Sequence, residues 1–197
     1  MLNTTRLHVI IRPRGGDFLY TPLEVERMEE DIRMCRQLGV DGVVIGCLKA
    51  DGSIDIENNQ HLKDAAGDMS VTFHRAFDRC ANPMLALEQL CELGIDRILT
   101  SGQQPTAEQG IDLLRTLNMA AAGRIKILAG CGVNENNITK IHEETRVNEF
   151  HFSARIPVKS HMQYANPNVY MGDKDADEST LMYTSAERVK ATISKLK

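Results

Sequence analysis

Six short β-rich runs recur along this chain at one spacing, and that period constrains its fold more than any other feature. The runs are Val9–Ile11, Gly42–Ile45, Val71–Phe73, Arg97–Leu99, Lys126–Leu128 and Glu149–Phe152. Roughly 24–34 residues separate them, the size of a strand-plus-helix unit. The intervening stretches carry helix punctuation. Thr21-Pro22-Leu23-Glu24 offers an N-cap, an N1 proline and a capping-box glutamate. Asn82-Pro83 supplies the first two, and Thr106–Gln109, Asn134–Asn137 and Thr184–Glu187 have cap-like spacing. Gly39 and Gly94 stand where C′ glycines end helices. Such alternation means a parallel sheet with right-handed crossovers. The expected fold is therefore α/β, a TIM (β/α)8-type barrel in a single domain over residues 1–197. Eight units and typically about 250 residues close such a barrel. This chain shows six, so the barrel is expected to be incomplete.

The composition narrows the function classes. Net charge is −4 with no basic stripe, which argues against a nucleic-acid partner. No apolar run is long enough to span a membrane, and the start lacks the apolar stretch of a signal peptide. Five scattered cysteines without C-x-x-C read as reduced thiols in a cytoplasm. No G-x-G-x-x-G follows a strand and no P-loop lysine is present, so neither a nucleotide nor a flavin cofactor is expected.

Strand alternation then selects the residues of the barrel mouth. Arg12, His74, Thr100, His151 and Ser153 are expected to point inward near the carboxyl ends of the strands, where such barrels place their sites. Arg12 and Arg14, in Arg12-Pro13-Arg14-Gly15-Gly16-Asp17, are forks suited to a carboxylate or phosphate; the structural alternative is ion pairing with Asp17, Asp78 or Glu149. His74 is a candidate acid/base or metal ligand, with Asp78 orienting it or pairing with Arg75. Thr100, Ser101, Gly130, Gly132 and Ser153 complete a small-anion site, with Arg14 and Asp17 beside it. Gly130 and Gly132 permit close backbone approach ahead of a helix start, which suits phosphate, or serve simply as turn residues.

The thiols divide in two. Cys35 keeps helical spacing with Met28, Ile32 and Leu38, and Cys91 accompanies Leu87 and Leu90, as core residues do. Cys47, Cys80 and Cys131 each follow a strand, on the face expected to hold His74 and His151. Thiolate with imidazole is a set for Cu(I), although no pair has local ligand spacing and packing is the alternative. The polar run from Ala154 to Tyr183, with acidic residues between Asp173 and Glu178, reads as a long loop, solvated or acting as a lid.

The segments Ile11–Phe18, Val71–Asp78, Ile98–Gly102, Ile127–Asn137 and Phe150–Ala154, with Asp51-Gly52 and Met171-Gly172, resemble the CutC family, usually described as copper homeostasis proteins. The resemblance implies a cytoplasmic barrel, often a homo-oligomer, that binds a copper ion. It also implies two further strand–helix units ahead of the first strand, absent here with any ligands they carry. Cys131 stands where the family usually has a small residue. Two functions follow as expectations. One is copper homeostasis through Cu(I) at Cys47, Cys80, Cys131 and His151. The other is an enzyme on a small anionic or phosphorylated metabolite, with Arg12 and Arg14 as clamp and His74 with Asp78 moving a proton.

Overall fold

The computed structural model of this chain describes residues 5–166, 168, 169, 172 and 177–196. Strands β1 (His8–Ile10), β2 (Gly42–Ile45), β3 (Ser70–Phe73), β4 (Arg97–Thr100), β5 (Lys126–Gly130) and β6 (Glu149–His151) form one parallel sheet in sequential order. Helices α1 (Pro22–Gln37), α2 (Ile56–Ala66), α3 (Pro83–Glu92), α4 (Ile111–Ala121) and α5 (Ile138–Thr145) connect them in turn. A short 3-10 helix, Arg75–Arg79, precedes α3. Sequential parallel strands with a crossover at each step make an open half-barrel, as the spacing of the β-rich runs predicts.

The local rules act where the sequence places them. Thr21 caps α1, with Glu24 returning to its backbone N–H, and Asn82 caps α3 ahead of Pro83. Thr106–Gln109 and Asn134–Asn137 close turns instead, and their helices begin at Ile111 and Ile138. Ser185, not Thr184, caps the last helix, α6 (Ala186–Ser194).

Register decides which face each residue takes. Val43, Ile45, Val71, Phe73, Ile98, Ile127 and Ala129 lie in neighbouring register and are buried. They form the core with Met28, Ile32, Leu62, Leu87, Leu90, Leu114, Leu117 and Ile141 from the helices. The other face is the inside of the half-barrel, where Ile10, Val44 and Thr72 are neighbours. Arg97 and Lys126 both meet Glu149 at its amino end.

Three expectations need correction. Thr100 pairs in register with Ala129 and shares the face of Ile98 and Phe73, so it belongs to the buried helix-side layer and not to the barrel interior. Leu38 is the exposed C-cap of α1, while Met28, Ile32 and Cys35 are buried as their spacing requires. The run from Ala154 to Tyr183 is not loop throughout: β7 (Arg155–Lys159) and β8 (Thr180–Thr184) pair as an antiparallel ribbon. Alternation there is obscured by Pro157 and by mostly exposed side chains, so the strand signal is weak. Met171 and residues 173–176 lie outside the described residues.

Candidate functional site

The carboxyl ends of β1, β3, β4 and β5 carry the polar groups of the half-barrel mouth. His74 follows β3, is only 4% exposed, and caps the 3-10 helix. Its Nδ1 accepts the Ala76 backbone N–H at 3.2 Å, while its Nε2 is buried without a protein partner. Burial first, then the Arg12 guanidinium, push its pKa down to about 4, so the ring is neutral at physiological pH. Phe18 packs against it at 4.9 Å between ring centroids. Gly46 admits the ring, since a Cβ there would lie 2.5 Å from His74 Nδ1.

Asp78 is held apart from His74. Its oxygens accept the Thr100 hydroxyl, the Ser101 N–H at 3.0 Å and the Gln103 N–H at 3.1 Å. The Arg75 Nε donates to it at 2.6 Å. This carboxylate therefore ties the 3-10 helix to the end of β4, and it makes no hydrogen bond with His74. Of the two roles expected for Asp78, the Arg75 ion pair is the one formed. Gln103, which no sequence pattern signals, sits at φ +54° and also donates to the Cys80 carbonyl at 2.8 Å.

The two arginines after β1 differ. Arg14 bonds Glu24 at 2.6 Å and Asp17 at 2.9 Å, donates to the Leu19 carbonyl, and lies over the Tyr20 ring. Its fork is filled by the chain itself, and Asp17 is drawn into that pairing. Arg12 is exposed, donates to the Gly16 carbonyl at 2.8 Å, and covers Phe18 at 4.8 Å. Tyr20 is buried, and its hydroxyl lacks a protein partner. Burial raises the phenol pKa, Cys47 adds to that, and Arg12 opposes it.

The thiols expected to share a metal are scattered in environment. Cys47 is 1% exposed, and burial with Asp55 nearby pushes its thiol up to about 12. Burial, then Asp78, push Cys80 up to about 11, and Gln103 donates to its sulfur at 3.4 Å. Cys131 is half-buried at φ +77°; it receives the Arg75 guanidinium at 3.3 Å and approaches the Pro105 carbonyl at 3.1 Å. Among the described residues no three His, Cys, Asp or Glu side chains are grouped to hold a metal ion. Cys47, Cys80, Cys131 and His151 are thus not one centre.

Cys131 and His151 nevertheless line one concavity of about 420 Å³, with Gly132, Ser153 and Met182. Desolvation lowers the His151 pKa. Gly130 lies beneath, where a Cβ would meet Leu99 at 2.5 Å and His151 at 3.3 Å. The Gly132 carbonyl accepts from the side chains of Asn134 and Asn137, as turn chemistry requires. Met182 arrives from β8, and only the pairing of β7 with β8 brings it near. A methionine in a polar segment carries no sequence signal for such a place.

Comparison with known proteins follows the same lines. The CutC family model matches residues 2–156. A family protein CutC of Bacteroides thetaiotaomicron is 60% identical over 198 residues, spanning all of this chain and 80% of that protein. One from Parabacteroides distasonis is 56% identical over 188 residues, 95% of this chain and 77% of that protein. Among solved structures, a proposed copper homeostasis protein CutC from Streptococcus agalactiae superposes with TM-score 0.71 at 36% identity, over 74% of this chain and 71% of that one. An aldolase, QR15, reaches TM-score 0.58 at 17% identity and shows likeness of fold alone.

Proposed function

This chain belongs to the CutC family, and on that footing we propose that it serves copper homeostasis by holding Cu(I) as cargo in the concavity of Cys131, His151 and Met182. The observation that carries this reading is the meeting of a thiol, an imidazole and a thioether in one cavity at the carboxyl ends of β5 and β6. These are the soft and borderline donors that Cu(I) prefers. Copper homeostasis is the role proposed in the name of the Streptococcus agalactiae relative. A cytoplasmic setting suits the proposal, because reduced thiols persist there.

Loading would form a Cu–S bond at Cys131 and release the thiol proton, with no change of oxidation state. Cys47 and Cys80 are poor partners: at neutral pH both thiols keep their protons, and opening them to a metal would disturb the core. The reading therefore separates thiols that the sequence groups together.

Anaerobic Cu(I) titration against a competing chelator tests it. Cys131→Ser and His151→Ala are each expected to weaken binding by about tenfold or more, and Met182→Leu by less. Cys47→Ser is expected to bind as the native chain does. Affinity in the native chain should rise with pH, since the metal displaces a proton. Equal binding by native and Cys131→Ser protein would end this assignment.

A further inference from the structure

Two polar atoms near the Arg12 end of the mouth are buried without protein partners, the Tyr20 hydroxyl and His74 Nε2. Their residues are 8% and 4% exposed. Buried polar groups are nearly always paired, and each exception needs a physical reason. Here Arg12 is the neighbour common to both exceptions. Phe18 packs on the His74 ring and beneath the Arg12 guanidinium, and Arg12 bears electrostatically on both His74 and Tyr20.

The polarity of the set is defined. Because His74 Nδ1 accepts from Ala76, the ring proton resides on Nε2, which is therefore a donor. The Tyr20 hydroxyl can donate as well, and its oxygen lies close to the Arg12 guanidinium. Arg12 uses Nη2 on the Gly16 carbonyl, lies close to the Tyr20 hydroxyl, and has five N–H donors in all. Among the described residues no carboxylate pairs with Arg12. Arg12 and His74 Nε2 offer only donors here and the Tyr20 hydroxyl can add a third, a set complementary to an anionic oxygen.

We infer that Arg12, Tyr20 and His74 form a binding site for the anionic oxygens of a small carboxylate or phosphate. Arg12 takes the charge at the solvent side, and the two buried donors fix the inner oxygen. Arg14 is not part of it, because Glu24 and Asp17 already fill its fork. The site lies at the carboxyl ends of β1 and β3, away from Cys131 and His151 at β5 and β6, and does not depend on the copper reading.

The test is anion titration of the ¹⁵N-labelled chain, watching His74 Nε2 in long-range ¹H–¹⁵N spectra. The probes are inorganic phosphate and acetate, each at constant ionic strength of about 0.1 M against a chloride control. The Nε2 signal is expected to move saturably with at least one probe. A response to phosphate alone assigns the phosphate class, and to acetate alone the carboxylate class. Arg12→Gln, an exposed change that leaves the core intact, should weaken the response about tenfold, and Tyr20→Phe should weaken it too. His151→Ala should leave it unchanged. A signal that neither probe moves beyond the chloride control, or one that titrates equally in Arg12→Gln, overturns the site.

Discussion

The protonation of His74 follows from two neighbours. Ala76 N–H fixes the tautomer, and burial beside Arg12 makes the charged ring unfavourable. Stability must then depend on pH with a known sign. The unfolded ring titrates near 6.5 and the folded ring near 4. Between those values the unfolded chain binds more protons, so stability rises with pH. The contribution is complete above pH 6.5 and is lost as pH falls toward 4, about 3 kcal/mol in all. His74→Asn keeps an acceptor for the Ala76 N–H and removes the titration. Its urea-unfolding free energy is expected to vary less than the native value between pH 7 and pH 4.5. The lowered carboxyl groups, such as Asp17 and Glu24, act alike in both proteins and cancel in the comparison. Identical slopes in the two proteins would mean that His74 is not the group responsible.

Between elements, the 3-10 helix is joined to β4 by Asp78, whose side chain is 6% exposed and accepts from two backbone N–H groups, the hydroxyls of Thr100 and Ser101, and Arg75. Asp78→Asn removes the charge and turns an amide donor toward those donors. A loss of about 3 kcal/mol is expected by chemical denaturation, the scale of breaking a buried charge-assisted network. A second clamp follows: Gly102 and Gly110 touch, and a Cβ on Gly110 would lie 1.9 Å from the Ser101 carbonyl. Part of this arrangement is legible in the sequence. The six strands of the main sheet, the Thr21 and Asn82 caps and the Arg75–Asp78 proximity are local signals, and each is found in place. Thr100 takes the face opposite to the one expected, because parity within a four-residue strand does not say which face is inner; only register with Ala129 does. Gln103, Tyr20 and Met182 acquire their places through loop geometry and a long-range ribbon, which no spacing encodes.

At the scale of the molecule, the open half-barrel leaves features that a closed one would cover. Among the described residues β1 pairs only with β2, and β6 only with β5, so two strand edges keep unpaired backbone groups. Ile10 is 60% exposed on β1, and Leu7 just before it is 59% exposed. Val44, Leu99 and Leu128 are only partly covered. An edge bordered by apolar side chains is a template for pairing with another chain. Self-association of this chain is therefore expected to run through β1, and a charge there should oppose it. Ile10→Lys places an ammonium on the inner face of the edge without touching the helix-side core. Its folding free energy should stay within about 0.5 kcal/mol of native, as for exposed positions generally. Sedimentation velocity over a concentration series should show less association in Ile10→Lys than in the native chain. If both associate equally, the contact lies elsewhere, and the next variant belongs at β6, where a lysine at Phe150 would disturb the core but one at Glu149 would break its pairs with Arg97 and Lys126. The β1 edge is thus the position where association can be tested with stability held constant.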